Sequence, residues 1–93
     1  MAAMSGARLA EVPRARPSGI VAIKALAEPQ TLSRITGLFA QFGVTPVAFL
    51  SRQTDQFLLI DVQFDAGEGT RVDILVAKLK ALILVQRADL VDQ

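Results

Sequence analysis

Residues 19–43 read GIVAIKALAEPQTLSRITGLFAQFG, and this stretch sets one strand directly before one helix. Residues 19–27 are short and rich in β-branched side chains, which predicts a strand. Pro29 suits the first turn of a helix, where its missing N–H costs nothing. Apolar residues then recur at spacings of three and four, on one helical face: Leu32, Ile35, Phe39 and Phe42. Gly43 is typical of a helix end, so we predict a helix over about 29–42.

Beyond this stretch, the chain continues with two strands. Residues 44–52 predict a second strand, and Pro46 within it cannot donate a ladder hydrogen bond, so this strand should lie at an edge. Residues 53–56 (QTDQ) predict a short polar turn, and residues 57–64 (FLLIDVQF) a third strand. Its side chains alternate between two faces: Leu58, Ile60, Val62 and Phe64 on one, and Phe57, Leu59, Asp61 and Gln63 on the other.

The last third of the chain supplies a second helix and a fourth strand. We predict a loop over 65–69, a helix over about 70–80, and a strand over 82–91. One helical face carries Val72, Leu75, Val76 and Leu79. The order βαββαβ is that of an α+β, ferredoxin-like fold, in which two helices cover one face of a four-stranded antiparallel sheet. Residues 1–17, with two prolines and no periodic apolar face, predict a flexible N-terminal tail before a single domain over 18–93.

Composition excludes several classes of function. The 93 residues contain no Cys and no His, which removes thiol and imidazole catalysis and the usual zinc sites. We therefore expect no metal and no cofactor, and a cytoplasmic location. Residues 18–93 hold 7 basic and 8 acidic side chains, which does not favour nucleic-acid binding. No apolar run reaches the length of a membrane-spanning helix, so we expect no membrane partner.

The face of the sheet without helices carries apolar residues. Phe57 and Leu59 point there from the third strand. The first strand adds Ile20 and Leu26 in one register, or Val21 and Ile23 in the other. A monomer seldom leaves so much apolar surface in water, so we expect the chain to self-associate. The same element order builds an RNA-recognition fold, but Phe57 is the one outward aromatic residue of the third strand and the basic-glycine-aromatic signature is missing.

Two groups of residues are candidates for chemistry. Asp61 and Asp65 bracket the end of the third strand, but an outward carboxylate and a loop carboxylate explain them better than acid–base catalysis does. Residues 67–69 (GEG) are too short for a phosphate loop and predict a turn. The loop before the first helix presents N–H groups of Gln30, Thr31 and Leu32, which suit a carboxylate or phosphate. The alternative is that Glu28 or water caps them.

Residues 28–43 (EPQTLSRITGLFAQFG) resemble the signature of ACT domains, and more narrowly that of the regulatory (small) subunit of acetolactate synthase, in its short single-domain form. Residues 78–82 and 87–90 are similar to the last helix and strand of that subunit. The resemblance implies a non-catalytic homodimer with side-by-side ACT sheets that activates a thiamine-diphosphate-dependent catalytic large subunit in branched-chain amino-acid biosynthesis. It also implies a valine-like effector at the dimer interface. Because the second strand has the character of an edge, we expect the two chains to join through it.

The resemblance assigns candidate effector-binding residues to two segments: Ala27, Glu28, Gln30, Thr31 and Leu32 in the first, and Thr45 and Pro46 in the second. At four of them the chain departs from the family pattern, which has Asn at 27, Gly at 30, Asn at 45 and Ile at 46. A Gln side chain obstructs the approach that Gly allows, and Ala cannot hydrogen-bond as Asn does. We therefore expect valine to bind weakly. The alternatives are a stand-alone amino-acid-sensing ACT module acting on another enzyme, and a dimerisation module without a ligand.

Overall fold

The computed structural model describes residues 18–66 and 70–91. These residues form six elements in chain order: β1 (Ser18–Leu26), α1 (Thr31–Gln41), β2 (Thr45–Thr54), β3 (Phe57–Asp65), α2 (Val72–Ala81) and β4 (Val85–Val91). The four strands build one antiparallel sheet in the order β2-β3-β1-β4. The predicted ferredoxin-like fold is confirmed. The predictions for residues 1–17 and 67–69 lie outside the described residues.

Turns shift several element ends from their predicted positions. The loop between β2 and β3 is shorter than the predicted QTDQ turn, because β2 continues to Thr54 and only Asp55 and Gln56 form the turn. Asp55 has φ 59°, a left-handed conformation that Asp tolerates better than most residues and that tight hairpins require. Residues 82–84 turn rather than extend, with the Val85 N–H donating to Leu82 O, so β4 begins three residues later than predicted.

The core lies between the helices and one face of the sheet. Register places Val21 and Ile23 of β1 opposite Val62 and Ile60 of β3, and all four side chains are buried. The helices cover this layer with six buried residues: Thr31, Ile35 and Phe39 from α1, and Leu75, Val76 and Leu79 from α2. Both predicted helical faces therefore point inward, with Leu32, Phe42 and Val72 packed at the margin.

Strand β2 lies at one edge of the sheet, as Pro46 predicted, and β4 lies at the other. The pairing of β2 with β3 shifts by one residue between Pro46 and Ala48. Such a bulge lets a proline remain in an edge strand without breaking the ladder beyond it. Within residues 18–66 and 70–91, no helix has the length and apolar character needed to cross a membrane.

Candidate functional site

The loop between β1 and α1 is built around one threonine. Thr31 is fully buried, and its hydroxyl donates to Leu26 O at 2.7 Å while accepting from the Glu28 N–H at 3.3 Å. The Thr31 N–H donates to Glu28 O at 3.1 Å. The N–H and the hydroxyl of Thr31 are therefore both hydrogen-bonded within the loop. The expectation of a ligand donor at Thr31 N–H needs correction, because the Glu28 carbonyl already occupies that group. Among the described residues no side chain caps α1 at Gln30, so Glu28 does not serve as a side-chain cap.

Replacing Thr31 with valine should destabilise the chain by about 1–3 kcal/mol, because Leu26 O then loses a buried hydrogen-bond donor while the shape is kept. The measurement is urea unfolding followed by circular dichroism. Thr36→Val is the matched control: its hydroxyl also bonds a helical carbonyl, Leu32 O at 2.9 Å, but the residue is exposed. Equal midpoints for the two variants would mean that the Thr31 hydroxyl does not hold the loop.

The second candidate segment lies at the far end of the same sheet. Thr45 is paired with Asp65 at one end, whereas Thr54 is paired with Phe57, which in turn pairs with Leu26 at the other end. Eight strand steps separate these ends, a distance of roughly 26 Å. Thr45 and Pro46 are exposed there. One chain alone therefore does not bring the two candidate segments together.

The first segment is itself tied to the neighbouring turns. The Ala27 N–H donates to Gln56 O at 3.0 Å, and the Leu26 N–H to Leu84 O at 2.8 Å. Glu28 and Gln30 are exposed beside this anchored backbone, while Ala27 and Leu32 are half-buried. The backbone of the loop is thus fixed by hydrogen bonds, and the side chains of Glu28 and Gln30 are exposed on it.

The open face of the sheet carries charges that the sequence analysis missed. Register aligns side chains in two neighbouring rows, which we name the cationic row (Arg52, Leu59, Lys24, Arg87) and the acidic row (Leu50, Asp61, Ala22, Asp89). Together they line most of a depression of about 290 Å³. The sequence signal that could have revealed these charges is the alternation of Arg87, Asp89 and Val91 along the fourth strand. The predictions of Phe57 and Leu59 on this face are confirmed, and the first strand adds Ile20 and Leu26.

Two carboxylates considered for acid–base chemistry lie apart on that face. Asp61 and Asp65 are four residues apart on β3, which separates their Cα atoms by roughly 13 Å. Carboxylates at this spacing along one strand do not share a proton. Asp61 is an outward side chain, as predicted, whereas the prediction of Asp65 in a loop is wrong, because β3 continues through Asp65.

One strip of the exposed surface of α1 carries only small side chains. Ser33, Thr36, Gly37 and Ala40 are exposed, and a Cβ added at Gly37 would meet nothing within 4 Å. Gly inside a helix costs about 1 kcal/mol relative to Ala. No described contact of this chain explains that glycine.

Two solved structures share this fold. The ACT domain of GTP pyrophosphokinase from Chlorobium tepidum matches in its crystal structure with a TM-score of 0.69 and 14% identity, over 80% of this chain and 96% of that chain. A homoserine dehydrogenase from Thiobacillus denitrificans matches with a TM-score of 0.62 and 17% identity, over 86% of this chain and 18% of that one. At these identities the likeness establishes the fold alone.

The family follows from the sequence. The model of the ACT-like domain matches residues 16–92, and the chain therefore belongs to the ACT-like domain family. A search of curated proteins finds no match. Domains of this family are typically regulatory, and they commonly bind amino acids and dimerise.

Proposed function

We propose that this chain is a non-catalytic regulatory subunit of acetolactate synthase, acting in the cytoplasm in branched-chain amino-acid biosynthesis. The observation that carries the proposal is the motif over residues 28–43, which coincides with the anchored loop and with α1. Membership of the ACT-like family supports a regulatory role, and the motif supplies the narrower identity. In this assignment the catalytic residues and the thiamine diphosphate belong to the partner enzyme.

The proposed subunit acts as a homodimer joined along β2. An exposed edge strand offers unpaired backbone groups, and antiparallel pairing of two β2 strands would extend the sheet to eight strands. Because α1 borders this edge of the sheet, its strip of small side chains would meet the same strip of the second copy. Gly37 would then allow the two helices to approach closely, a role that no described contact within one chain gives it.

This pairing also completes the candidate effector site. In an antiparallel β2 pair, the beginning of one strand lies beside the end of the other. Thr45 and Pro46 of a second copy would then approach the sheet end that carries Ala27 and Gln30. The two segments that lie roughly 26 Å apart in one chain would become neighbours across the interface. We infer that any effector is held between two chains.

The proposed effector is an amino acid of the valine class, bound weakly. Its carboxylate would meet the N-terminus of α1, where the helix dipole favours negative charge. Thr31 does not contribute its N–H, which is bonded within the loop, so Gln30 and Leu32 are the remaining backbone candidates. Ala27 supplies no side-chain hydrogen bond, and the exposed Gln30 side chain stands where the resemblance places Gly.

Titrating this chain into the catalytic large subunit of acetolactate synthase should raise the rate of acetolactate formation severalfold, to a plateau set by the stoichiometry of the complex. The measurement is product formation from pyruvate at fixed large-subunit concentration. The control is a thiamine-diphosphate enzyme that forms no acetolactate, whose rate should not change. A flat titration with the cognate large subunit, continued to large excess, would reject the proposed partner.

A second candidate function follows from the structural neighbours, in which the domain accompanies other enzymes. The homoserine dehydrogenase match occupies only 18% of that chain. The chain would then be a separate amino-acid-sensing module for a different enzyme, or a dimerisation module without a ligand. Affinity purification distinguishes these functions: the first proposal expects a thiamine-diphosphate enzyme in the complex, the second another catalytic chain, and the third none.

A further inference from the structure

The open face of the sheet presents its charges in ordered rows. The cationic row runs across all four strands, with Leu59 as its one uncharged member, and the acidic row lies two residues away along the strands. Arg87 and Asp89 form an exposed ion pair of 3.4 Å, and Lys24 Nζ lies 4.5 Å from the centroid of the Phe57 ring. In residues 18–66 and 70–91, neither Arg52 nor Asp61 forms an ion pair.

This arrangement is unfavourable within a single chain. Lys24 and Arg87 face each other directly across β1 and β4, and like charges in that position destabilise a sheet. Leu50 is 63% exposed and Val91 is 42% exposed on the same face. Arg52 and Asp61, which have no ion-pair partner within the described residues, lie on the same face as these exposed apolar side chains, and this suggests that another surface completes it.

We propose that the open face of the sheet packs against the open face of a second copy of this chain, with each cationic row opposite the acidic row of the other copy. The symmetry element is a two-fold axis that lies between the two sheets, crosses the strands at right angles, and passes between the two rows. Each strand then lies over its own equivalent in the second copy.

This axis gives every charge of the two rows an opposite neighbour. Arg87 lies directly opposite Asp89 of the second copy. Lys24 lies one strand away from Asp89 and from Asp61 of the second copy, and Arg52 lies one strand away from that Asp61. Strands are spaced about 4.8 Å apart and packed sheets about 10 Å apart, distances that arginine and lysine side chains span. A two-fold axis parallel to the strands would instead place cations on cations, so the charges select one orientation.

The area of the face limits the strength of the contact. Four strands of this length cover roughly 500 Å² per copy, or roughly 1,000 Å² in total. That is the lower limit for a specific interface, so the contact should depend on protein concentration and weaken with salt. It is independent of the proposed β2 edge. With both contacts present and their two axes intersecting, four chains of 10.0 kDa form a closed tetramer.

The test is native mass spectrometry and light scattering of the full chain with Arg52→Glu, compared with Lys78→Glu. Both variants reverse one exposed cation, but Lys78 lies on α2, away from the open face. Arg52→Glu should weaken the face contact at least about tenfold, and Lys78→Glu should leave it unchanged. The double variant Arg52→Glu with Asp61→Arg should regain part of the loss, because the two charges exchange places across the axis.

Cross-linking identifies which surface is in contact, since the chain has no native cysteine. Ala22→Cys on the open face lies within roughly 12 Å of its equivalent across the proposed axis and should be joined by a short bismaleimide. Ala40→Cys on α1 reports the proposed edge contact in the same way. Efficient Ala22 cross-linking without Ala40 cross-linking would support the face contact and count against the β2 edge.

Two outcomes overturn the face-to-face contact. One is equal assembly of the Arg52→Glu and Lys78→Glu variants at low and at high salt. The other is absence of Ala22 cross-links at concentrations where the chain is associated, which would assign the association to another surface. A change in amino-acid binding on Arg52→Glu without a change in mass would assign the depression to a small molecule and would also overturn the contact.

Discussion

Replacing Phe39 with alanine is expected to remove most of the folding stability of the chain. Phe39 has no exposed surface and is the largest fully buried side chain of the core. Phe-to-Ala changes at such sites cost about 3–5 kcal/mol, through lost transfer energy and the cavity left behind. Small domains bury modest cores, and total stabilities begin near about 5 kcal/mol, so this single change removes most of the margin.

The measurement is thermal and urea unfolding by circular dichroism, with Phe42→Ala as the matched control. Phe42 is the same residue type near the same helix, but it lies at the end of α1 and is only half-buried. Its replacement should cost clearly less. If both variants unfolded at the same midpoint, Phe39 would not occupy the centre of the core. Addition of the cognate large subunit should raise the midpoint of the Phe42→Ala variant, since a partner that binds only the folded state stabilises it.

The double change Ala27→Asn with Gln30→Gly is expected to increase valine affinity roughly tenfold to a hundredfold. Asn restores a side-chain hydrogen bond to a charged ligand group, worth about 1.5–3 kcal/mol, and Gly removes the side chain beside the helix N-terminus. The measurement is isothermal titration calorimetry at protein concentrations where the chain is associated. Unmodified protein should bind valine weakly.

The control for this pair makes the same types of change elsewhere. Ala77→Asn with Gln41→Gly alters two exposed helical positions away from the β1–α1 loop, and valine affinity should not change. Micromolar valine binding by the unmodified chain would mean that Ala27 and Gln30 do not weaken the site. Failure of the double variant to bind more tightly, with its fold and association intact, would remove the loop from the effector site.

Element order and inward faces could be predicted from the sequence because they depend on local periodicity. The alternation from Leu58 to Phe64 was sufficient to assign the faces of β3, and the spacing from Ile35 to Phe39 assigned the inner face of α1. The pairing of Lys24 with Arg87 could not be predicted in this way. It depends on how β4 aligns with β1 across the sheet, a contact between residues far apart in sequence, so the charged rows went unnoticed.

The role of Thr31 was missed for a similar reason. Its hydroxyl bonds Leu26 O, a carbonyl at the end of the preceding strand, and only the folded loop brings the two groups to 2.7 Å. In the sequence Thr31 was one of three helix-terminal N–H groups. Likewise, Thr45 and the loop were grouped because the resemblance groups them, whereas the sheet separates them along its full length.

That separation has a thermodynamic consequence. A site assembled from opposite sheet ends of two chains exists only in the dimer, so effector binding and subunit association are linked equilibria. The apparent dissociation constant for an amino acid would then fall as protein concentration rises, and the amino acid would in turn promote association by the same free energy. The fraction of chains with bound effector would then depend on the concentration of the chain as well as on that of the ligand. Expression level would therefore act as a second input to regulation.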